Sequence, residues 1–117
     1  MARTDRKAGL SVRVNLRPDV AIGPGKADLL AGIRDTGSIA AAGRRMGMSY
    51  TRAWSLVETM NRDFRTPLVV AAKGGAARGG AVLTKLGAEV LTRYRRLSAA
   101  SERAAAADVT ALRKKLS

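Results

Sequence analysis

The side chains best spaced to recognise another molecule lie in residues 37–60, GSIAAAGRRMGMSYTRAWSLVETM. Ala41 and Ala42 are small enough for two helices to approach closely, Gly47 supplies a sharp turn, and Ser49 begins a second helix. This spacing is typical of a helix-turn-helix motif, whose second helix enters the major groove of DNA. The chemistry that this segment predicts is therefore the reading of DNA.

The second helix of this motif has a predicted core side and a predicted exposed side. The core side of the motif holds Met46 and Met48 before this helix and Ala53, Val57 and Met60 on it. The predicted DNA-binding residues of the exposed side are Ser49, Tyr50, Thr51, Arg52, Trp54 and Ser55. Arg52 is the natural reader of guanine or clamp of a phosphate, because its planar guanidinium can donate two parallel hydrogen bonds. Thr51 and Ser55 suit contacts to phosphates or bases.

The two aromatic residues of this surface have two interpretations each. An aromatic side chain here packs against the neighbouring helix at least as often as it touches DNA. Trp54 fits both roles equally, whereas a DNA contact is favoured for Tyr50. Arg44 and Arg45 lie on the first helix of the motif, where they are predicted to touch phosphates; solvation alone is the alternative.

A glycine-rich segment adds a second candidate DNA contact. The runs Leu68 to Val70 and Ala81 to Leu83 flank AAKGGAARGG, which predicts a β-hairpin with a flexible tip. Lys73 and Arg78 in this tip are predicted to follow a phosphate backbone or enter the minor groove. A disordered loop with incidental charges is the alternative. No Gly-Lys-Ser/Thr element follows a strand, so a nucleotide-binding loop is disfavoured.

Composition points to the same class of partner. The 117 residues include 22 Lys and Arg against 9 Asp and Glu, a formal charge of +13, and the pI is near 11.6. This charge favours a polyanion, with nucleic acid first and an anionic membrane surface second. No apolar run approaches the roughly 20 residues of a spanning helix, and no signal-type stretch follows the basic N-terminus. A cytoplasmic protein is expected.

The chemistry of enzymes is poorly represented. The chain has no Cys and no His, which excludes zinc fingers, Cys nucleophiles and His general bases. The nine carboxylates are scattered singly instead of forming acid/base or metal-binding pairs. The sequence predicts a protein that is not an enzyme and has no catalytic residue, metal or cofactor.

The elements that must position these residues follow from periodicity and helix caps. Residues 1–9 are predicted to be a disordered basic arm, and alternating apolar residues from Leu10 to Leu16 predict a half-buried strand that ends at Pro18. Helices are predicted over residues 25–35, from Ser38 to Gly47, from Ser49 to Asp63 and from Thr84 onward. Residues 98–117 either continue the last helix or fray. This order predicts a mainly α fold with a small β-hairpin, a winged helix-turn-helix domain over residues 10–97.

Two stretches together resemble a known family. The chain from Asp28 to Leu97 is similar to the N-terminal DNA-binding domain of the ModE-type molybdate-responsive regulators. The most specific pieces are Ser49, Tyr50, Ala53 and Trp54 before Met60 and Asn61, then the glycine-rich tip and GGAVLTKLG from Gly79 to Gly87. A looser resemblance extends to LysR-type regulators through the small-residue first helix and through Leu83, Thr84 and Gly87.

The resemblance implies a bacterial winged helix protein that binds DNA as a homodimer, with the hairpin as the wing. In that family a separate C-terminal domain binds molybdate, and 117 residues leave no room for it. Three alternatives follow: constitutive DNA binding, a signal obtained from another protein, or a different effector. For dimerisation, the last helix, with Leu86, Val90, Leu91, Tyr94 and Leu97, and the first helix are the expected seam.

The predicted function is that of a sequence-specific regulator that binds an inverted repeat. A low-specificity nucleoid-associated protein and a protein-interaction adaptor with a winged helix are the alternatives. Replacing Arg52 separates the first two, because only a specific regulator would lose preference at one base position.

Overall fold

The order of secondary structure is that of a winged helix. The structure is a computed structural model that describes residues 8–72 and 80–117. Its elements are β1 (Val14–Arg17), β2 (Val20–Ile22), α1 (Pro24–Thr36), α2 (Ile39–Arg45), α3 (Tyr50–Asp63), β3 (Val69–Ala71), β4 (Ala81–Leu83) and α4 (Lys85–Arg113). The predicted fold class, mainly helical with a wing hairpin after the helix-turn-helix, is confirmed.

Three helices begin at the capping residues that the sequence predicts. The Ser38 hydroxyl accepts a hydrogen bond from the Ala41 N–H (3.1 Å), Ser49 from Arg52 (3.1 Å) and Thr84 from Gly87 (3.0 Å). Each satisfies a backbone donor that the first turn of a helix leaves unpaired.

The core lies where α1 crosses the other elements. Leu29, Leu30 and Ile33 of α1 are completely buried. Val57 and Met60 of α3 join the same cluster, as do Leu68, Leu91 and Tyr94. This packing makes α1 the support against which the helix-turn-helix and α4 are both held.

The N-terminal strand prediction is wrong in its extent and its burial. Instead of one strand from Leu10 to Leu16, the structure has an antiparallel hairpin of β1 and β2, with Val14 opposite Ile22. Leu10 and Leu16 are exposed, while Val20 and Ile22 supply the buried side chains. Pro18 therefore ends β1 and opens a tight turn into a second strand that alternation alone did not reveal.

The last helix extends well beyond the core. α4 has 29 residues, and the chain's longest dimension is 54 Å against 31 and 23 Å for the others. Residues after 97 continue as helix to Arg113. Within residues 8–72 and 80–117, no helix is both long enough and apolar enough to span a bilayer.

Candidate nucleic-acid interface

Small residues bring the helices of the motif close together. A Cβ atom added to Gly43 on α2 would lie 3.0 Å from the Ala53 Cβ on α3, and one on Gly32 of α1 would lie 2.9 Å from the Ala42 Cβ. The close approaches are thus at Ala42 and Gly43, whereas Ala41, predicted to share this role, is partly exposed. The crossing of α2 and α3 fixes the direction in which α3 leaves the body.

The turn between α2 and α3 is closed by backbone hydrogen bonds. The Met48 N–H donates to the Gly43 carbonyl (3.0 Å), and the Gly47 N–H donates to Arg44 (3.0 Å). Gly47 has φ of +69°, a left-handed conformation that disfavours side chains with a Cβ. Met46 and Met48 pack partly buried on the core, in agreement with their predicted position.

The N-terminal part of α3 presents its polar and aromatic side chains to solvent. Tyr50 is 58% exposed and Trp54 is 43% exposed, whereas Ala53 and Val57 on the same helix are buried. We call the exposed set Tyr50, Thr51, Arg52, Trp54 and Ser55 the recognition surface. The sequence predicted these five side chains at the exposed N-terminal part of the second helix of the motif, and in the structure all five are exposed there.

The charge of the recognition surface suits an anion. The first turn of α3 contains no acidic residue, and its unpaired N–H groups give that end of the helix a partial positive charge. Arg52 adds a full positive charge there. Ser49, the sixth residue predicted in this region, is committed to the helix cap through its oxygen, and its hydroxyl hydrogen is the part left for an outside acceptor.

The two arginines predicted on α2 differ in their surroundings. Arg45 lies 3.8 Å from the Asp35 carboxylate, which also receives a 2.9 Å hydrogen bond from Arg34. That hydrogen bond from Arg34 lowers the pKa of Asp35, with smaller contributions from nearby arginine charges. Arg44 is exposed and has no ion-pair partner within the described part of the chain. Of the two, Arg44 is therefore the more available for a phosphate.

The base of the wing is described, and its tip is not. β3 and β4 pair antiparallel, with Val69 opposite Leu83 and Ala71 opposite Ala81. The Ala81 N–H donates to the Gly37 carbonyl (2.9 Å), so the wing is fixed to the corner where α1 meets α2. Lys73 and Arg78, the two predicted wing contacts, lie outside the described residues. Residues 1–7 of the predicted arm also lie outside them.

At the C-terminal end of α3, the side chain of Asn61 forms a hydrogen-bonded junction that the sequence did not predict. The Asn61 side chain accepts from the Leu68 N–H (2.8 Å) and the Val69 N–H (3.1 Å) and donates to the Val69 carbonyl (3.0 Å). The Thr84 hydroxyl donates to Pro67 (2.8 Å), and a Cβ atom on Gly87 would overlap the Leu68 carbonyl.

We call Asn61, Leu68, Thr84 and Gly87 the clasp, because they join α3, β3 and the start of α4. The sequence offered one signal for it, since Asn61, Thr84 and Gly87 all lie in the stretches that carry the family resemblance. Their mutual contacts join residues far apart in the chain, which no local pattern reveals.

Comparison with known proteins gives relatives of one kind. The chain is 46% identical over 78 residues to the molybdenum-pterin-binding protein MopB of Rhodobacter capsulatus, covering 67% of this chain and 29% of that protein. It is 38% identical over 87 residues to the molybdenum transport protein ModE of Azotobacter vinelandii, covering 73% and 32%. To the DNA-binding transcriptional dual regulator ModE of Escherichia coli K12 it is 32% identical over 98 residues, covering 84% and 37%.

The matched region is thus most of this chain and about a third of each relative. No family model matches the sequence. Among solved structures, the DNA-binding domain of CbnR in its DNA complex is similar in fold, with a TM-score of 0.58 and 19% identity, covering 75% of this chain and 95% of that domain. The chain is therefore a winged helix domain homologous to the ModE-type proteins.

Proposed function

We propose that this chain is a sequence-specific DNA-binding module of a ModE-like transcription regulator, with α3 in the major groove of an inverted repeat bound by two copies. The observation that carries the proposal is the recognition surface. Its five side chains are exposed at the N-terminal end of a helix whose opposite face, with Ala53 and Val57, is buried. A helix held in this way presents its first two turns as a rigid probe to a groove about 12 Å wide.

Each residue of the recognition surface has a chemical role in this proposal. Arg52 donates two hydrogen bonds to a guanine edge, and Thr51 and Ser55 hydrogen bond to phosphates or bases. Tyr50 and Trp54 supply apolar contacts to bases or sugars. Ser49, Arg44 and Arg45 contact phosphates at the edge of the groove, and Lys73 and Arg78 do so from the wing. The +13 charge of the chain supplies the unspecific attraction that such contacts refine.

The names of the relatives support a regulatory role in molybdenum or oxyanion metabolism. MopB is described as molybdenum-pterin-binding and the A. vinelandii ModE as a molybdenum transport protein, while the E. coli ModE is a transcriptional dual regulator. We assign the genes controlled by this chain to the same area of metabolism. The effector that changes its DNA affinity is a separate question from the DNA contact itself.

The test is selection of bound sequences from random duplex DNA at about 0.15 M salt, where unspecific attraction is weakened. An inverted repeat with half-sites about 34–36 Å apart is expected. Recovery of sequences without a common motif would overturn the proposal and favour a nucleoid-associated role, for which the high net charge alone would suffice. Failure to retain any duplex at this salt would favour a protein-binding adaptor.

A further inference from the structure

The wing is attached to the body of the protein at two places, by contacts of different kinds. On the β3 side, the clasp joins the wing to the end of α3. On the β4 side, the Ala81 N–H donates to the Gly37 carbonyl (2.9 Å), and Gly80 pairs with Ser38 in an isolated antiparallel bridge. A two-stranded hairpin is only marginally stable by itself, so these two attachments decide the direction of the wing.

The attachment of β4 depends on residues 36–38, which we call the corner, between α1 and α2. The Gly37 N–H donates to the Ile33 carbonyl (2.8 Å) and ends α1, and the Ser38 hydroxyl caps α2. Gly37 has φ of +73°, and glycine is the least restrained residue of a backbone. The corner therefore needs a contact that spans Gly37 if it is to hold the wing in one direction.

The hydroxyl of Thr36 spans this glycine. It donates to the Gly32 carbonyl, one turn earlier in α1 (2.8 Å), and accepts from the Ser38 N–H (3.2 Å). Thr36 is exposed, so it contributes through these hydrogen bonds and not through packing in the core. One oxygen atom thus ties the last turn of α1 to the residue that pairs with the wing.

We propose that Thr36 is a positioning residue for DNA binding, because its hydroxyl fixes the corner and thereby the direction in which the wing presents Lys73 and Arg78 to the phosphate backbone. A hydrogen bond to a phosphate requires a separation of about 3.2 Å or less, so a small change in this direction removes it. The inference rests on the wing contacts of the proposed function and names the residue that controls them.

Three substitutions isolate the hydroxyl. Thr36→Val removes it and keeps the shape of the side chain, and Thr36→Ser retains it. Thr59→Val is the matched control, because the Thr59 hydroxyl donates to the Ser55 carbonyl within α3 (3.0 Å). Neither threonine is buried, so all three variants should fold, with unfolding temperatures within about 5 °C of the natural chain.

The first measurement uses no DNA and follows amide hydrogen exchange by NMR. In Thr36→Val the Ala81 N–H should exchange about tenfold faster, because its acceptor Gly37 is no longer restrained, whereas the Leu68 N–H of the clasp should change less than about twofold. Thr36→Ser and Thr59→Val should match the natural chain at both sites. Unchanged exchange at Ala81 in Thr36→Val would overturn the inference and leave the proposed function standing.

The second measurement is the affinity for the selected DNA as a function of salt concentration. Thr36→Val should bind about tenfold more weakly, and the slope of log affinity against log salt should fall by about 1–2, because each phosphate contact contributes about 0.9. Base preference at the positions read by α3 should not change, and Thr36→Ser should restore both affinity and slope. An altered base preference with an unchanged slope would overturn the inference.

The deciding experiment is a double-mutant cycle with the wing. In a chain that carries Lys73→Ala and Arg78→Ala, adding Thr36→Val should weaken DNA binding by less than about twofold, because the contacts that Thr36 positions are already absent. Equal weakening in both backgrounds would assign the hydroxyl to a DNA contact of its own and overturn the inference.

The cycle also separates this inference from the rest of the proposed function. If Lys73→Ala and Arg78→Ala together leave the affinity and the salt slope unchanged, the wing does not bind DNA. That result would overturn both the positioning role of Thr36 and the wing contacts, while DNA selection would still test the recognition surface of α3 independently.

Discussion

The two ends of α3 use their polar side chains in opposite ways. At its N-terminal end, Thr51, Arg52 and Ser55 are exposed, and within residues 8–72 and 80–117 their side chains form no hydrogen bond or ion pair. At its C-terminal end, the amide of Asn61 forms three hydrogen bonds with the backbone of Leu68 and Val69, where β3 begins. One helix therefore has an exposed polar surface at one end and a hydrogen-bonded junction at the other, with buried residues between them.

Because the two ends of α3 differ in this way, we expect that stability and DNA binding can be changed independently. Substitutions in the clasp should unfold the domain, and substitutions in the recognition surface should leave the fold intact while weakening DNA binding. The following changes test that separation, beginning with the largest expected effect.

Gly87→Ala should destabilise the domain by more than about 3 kcal/mol, because the added Cβ would overlap the Leu68 carbonyl of the rigid backbone. Thermal unfolding followed by circular dichroism measures the change. Gly25→Ala is the matched control, since a Cβ there meets nothing within 4 Å and α1 should be slightly stabilised. Equal stability of the two variants would contradict the described packing of α4 on β3.

Asn61→Ala should reduce the free energy of unfolding by about 2–4 kcal/mol, because the Leu68 and Val69 N–H groups lose their acceptor. Urea unfolding gives the value. Arg62→Ala, the exposed neighbour on the same helix, should change stability by less than about 0.5 kcal/mol. A loss of DNA binding without loss of stability in Asn61→Ala would remove the distinction between the two ends of α3.

Arg52→Ala should weaken binding to the selected DNA by about 1–3 kcal/mol and relax preference at one base position, with the unfolding temperature unchanged. Fluorescence anisotropy with matched and single-base variants of the operator provides both numbers. Arg62→Ala serves again as the control for loss of one positive charge. Uniform weakening across all sequences would assign Arg52 to a phosphate.

Ser49 caps α3 and is also a predicted DNA contact, so its variants can separate stability from DNA binding. Ser49→Ala should cost about 0.5–2 kcal/mol of stability, because the Arg52 N–H loses its cap. Ser49→Asp keeps a capping oxygen and should preserve stability, yet its negative charge should weaken DNA binding. Comparison of the two variants in unfolding and anisotropy assays separates the capping role from the binding role; identical DNA affinities would place Ser49 outside the interface.

Tyr94 provides the smallest effect and a pH dependence. Its hydroxyl donates to the Val12 carbonyl (2.6 Å), and burial raises the pKa of Tyr94 above its ordinary value. The unfolded chain therefore loses this proton first, so the stability that Tyr94 contributes is present below about pH 10 and decreases as the pH rises above that value. Tyr94→Phe should cost about 0.5–1.5 kcal/mol at pH 7 and flatten this alkaline decrease in urea unfolding curves.

The helix-turn-helix could be predicted because its signals are local. A capping hydroxyl, a left-handed glycine and an apolar stripe act within four residues of one another, so Ser49, Gly47 and the α3 core face were recognisable from the sequence. The extent and burial of the first hairpin were predicted wrongly because they depend on contacts between residues that are distant in the chain. Leu10 and Leu16 alternate with polar residues, but only the packing of β2 against α1 decides that Val20 and Ile22 are buried and Leu16 is not.

By itself, the sequence determined the order of the helices and the wing, the ends of the helices and the exposed side of α3, because these depend on short-range sterics and periodicity. Only the tertiary structure decided that Asn61 holds β3, that Gly87 must lack a side chain, and that an apolar groove remains beside α4. Each of these features joins residues that are distant in the chain. Their contacts arise from the packing of whole elements, and the energy of such packing is not carried by any one segment.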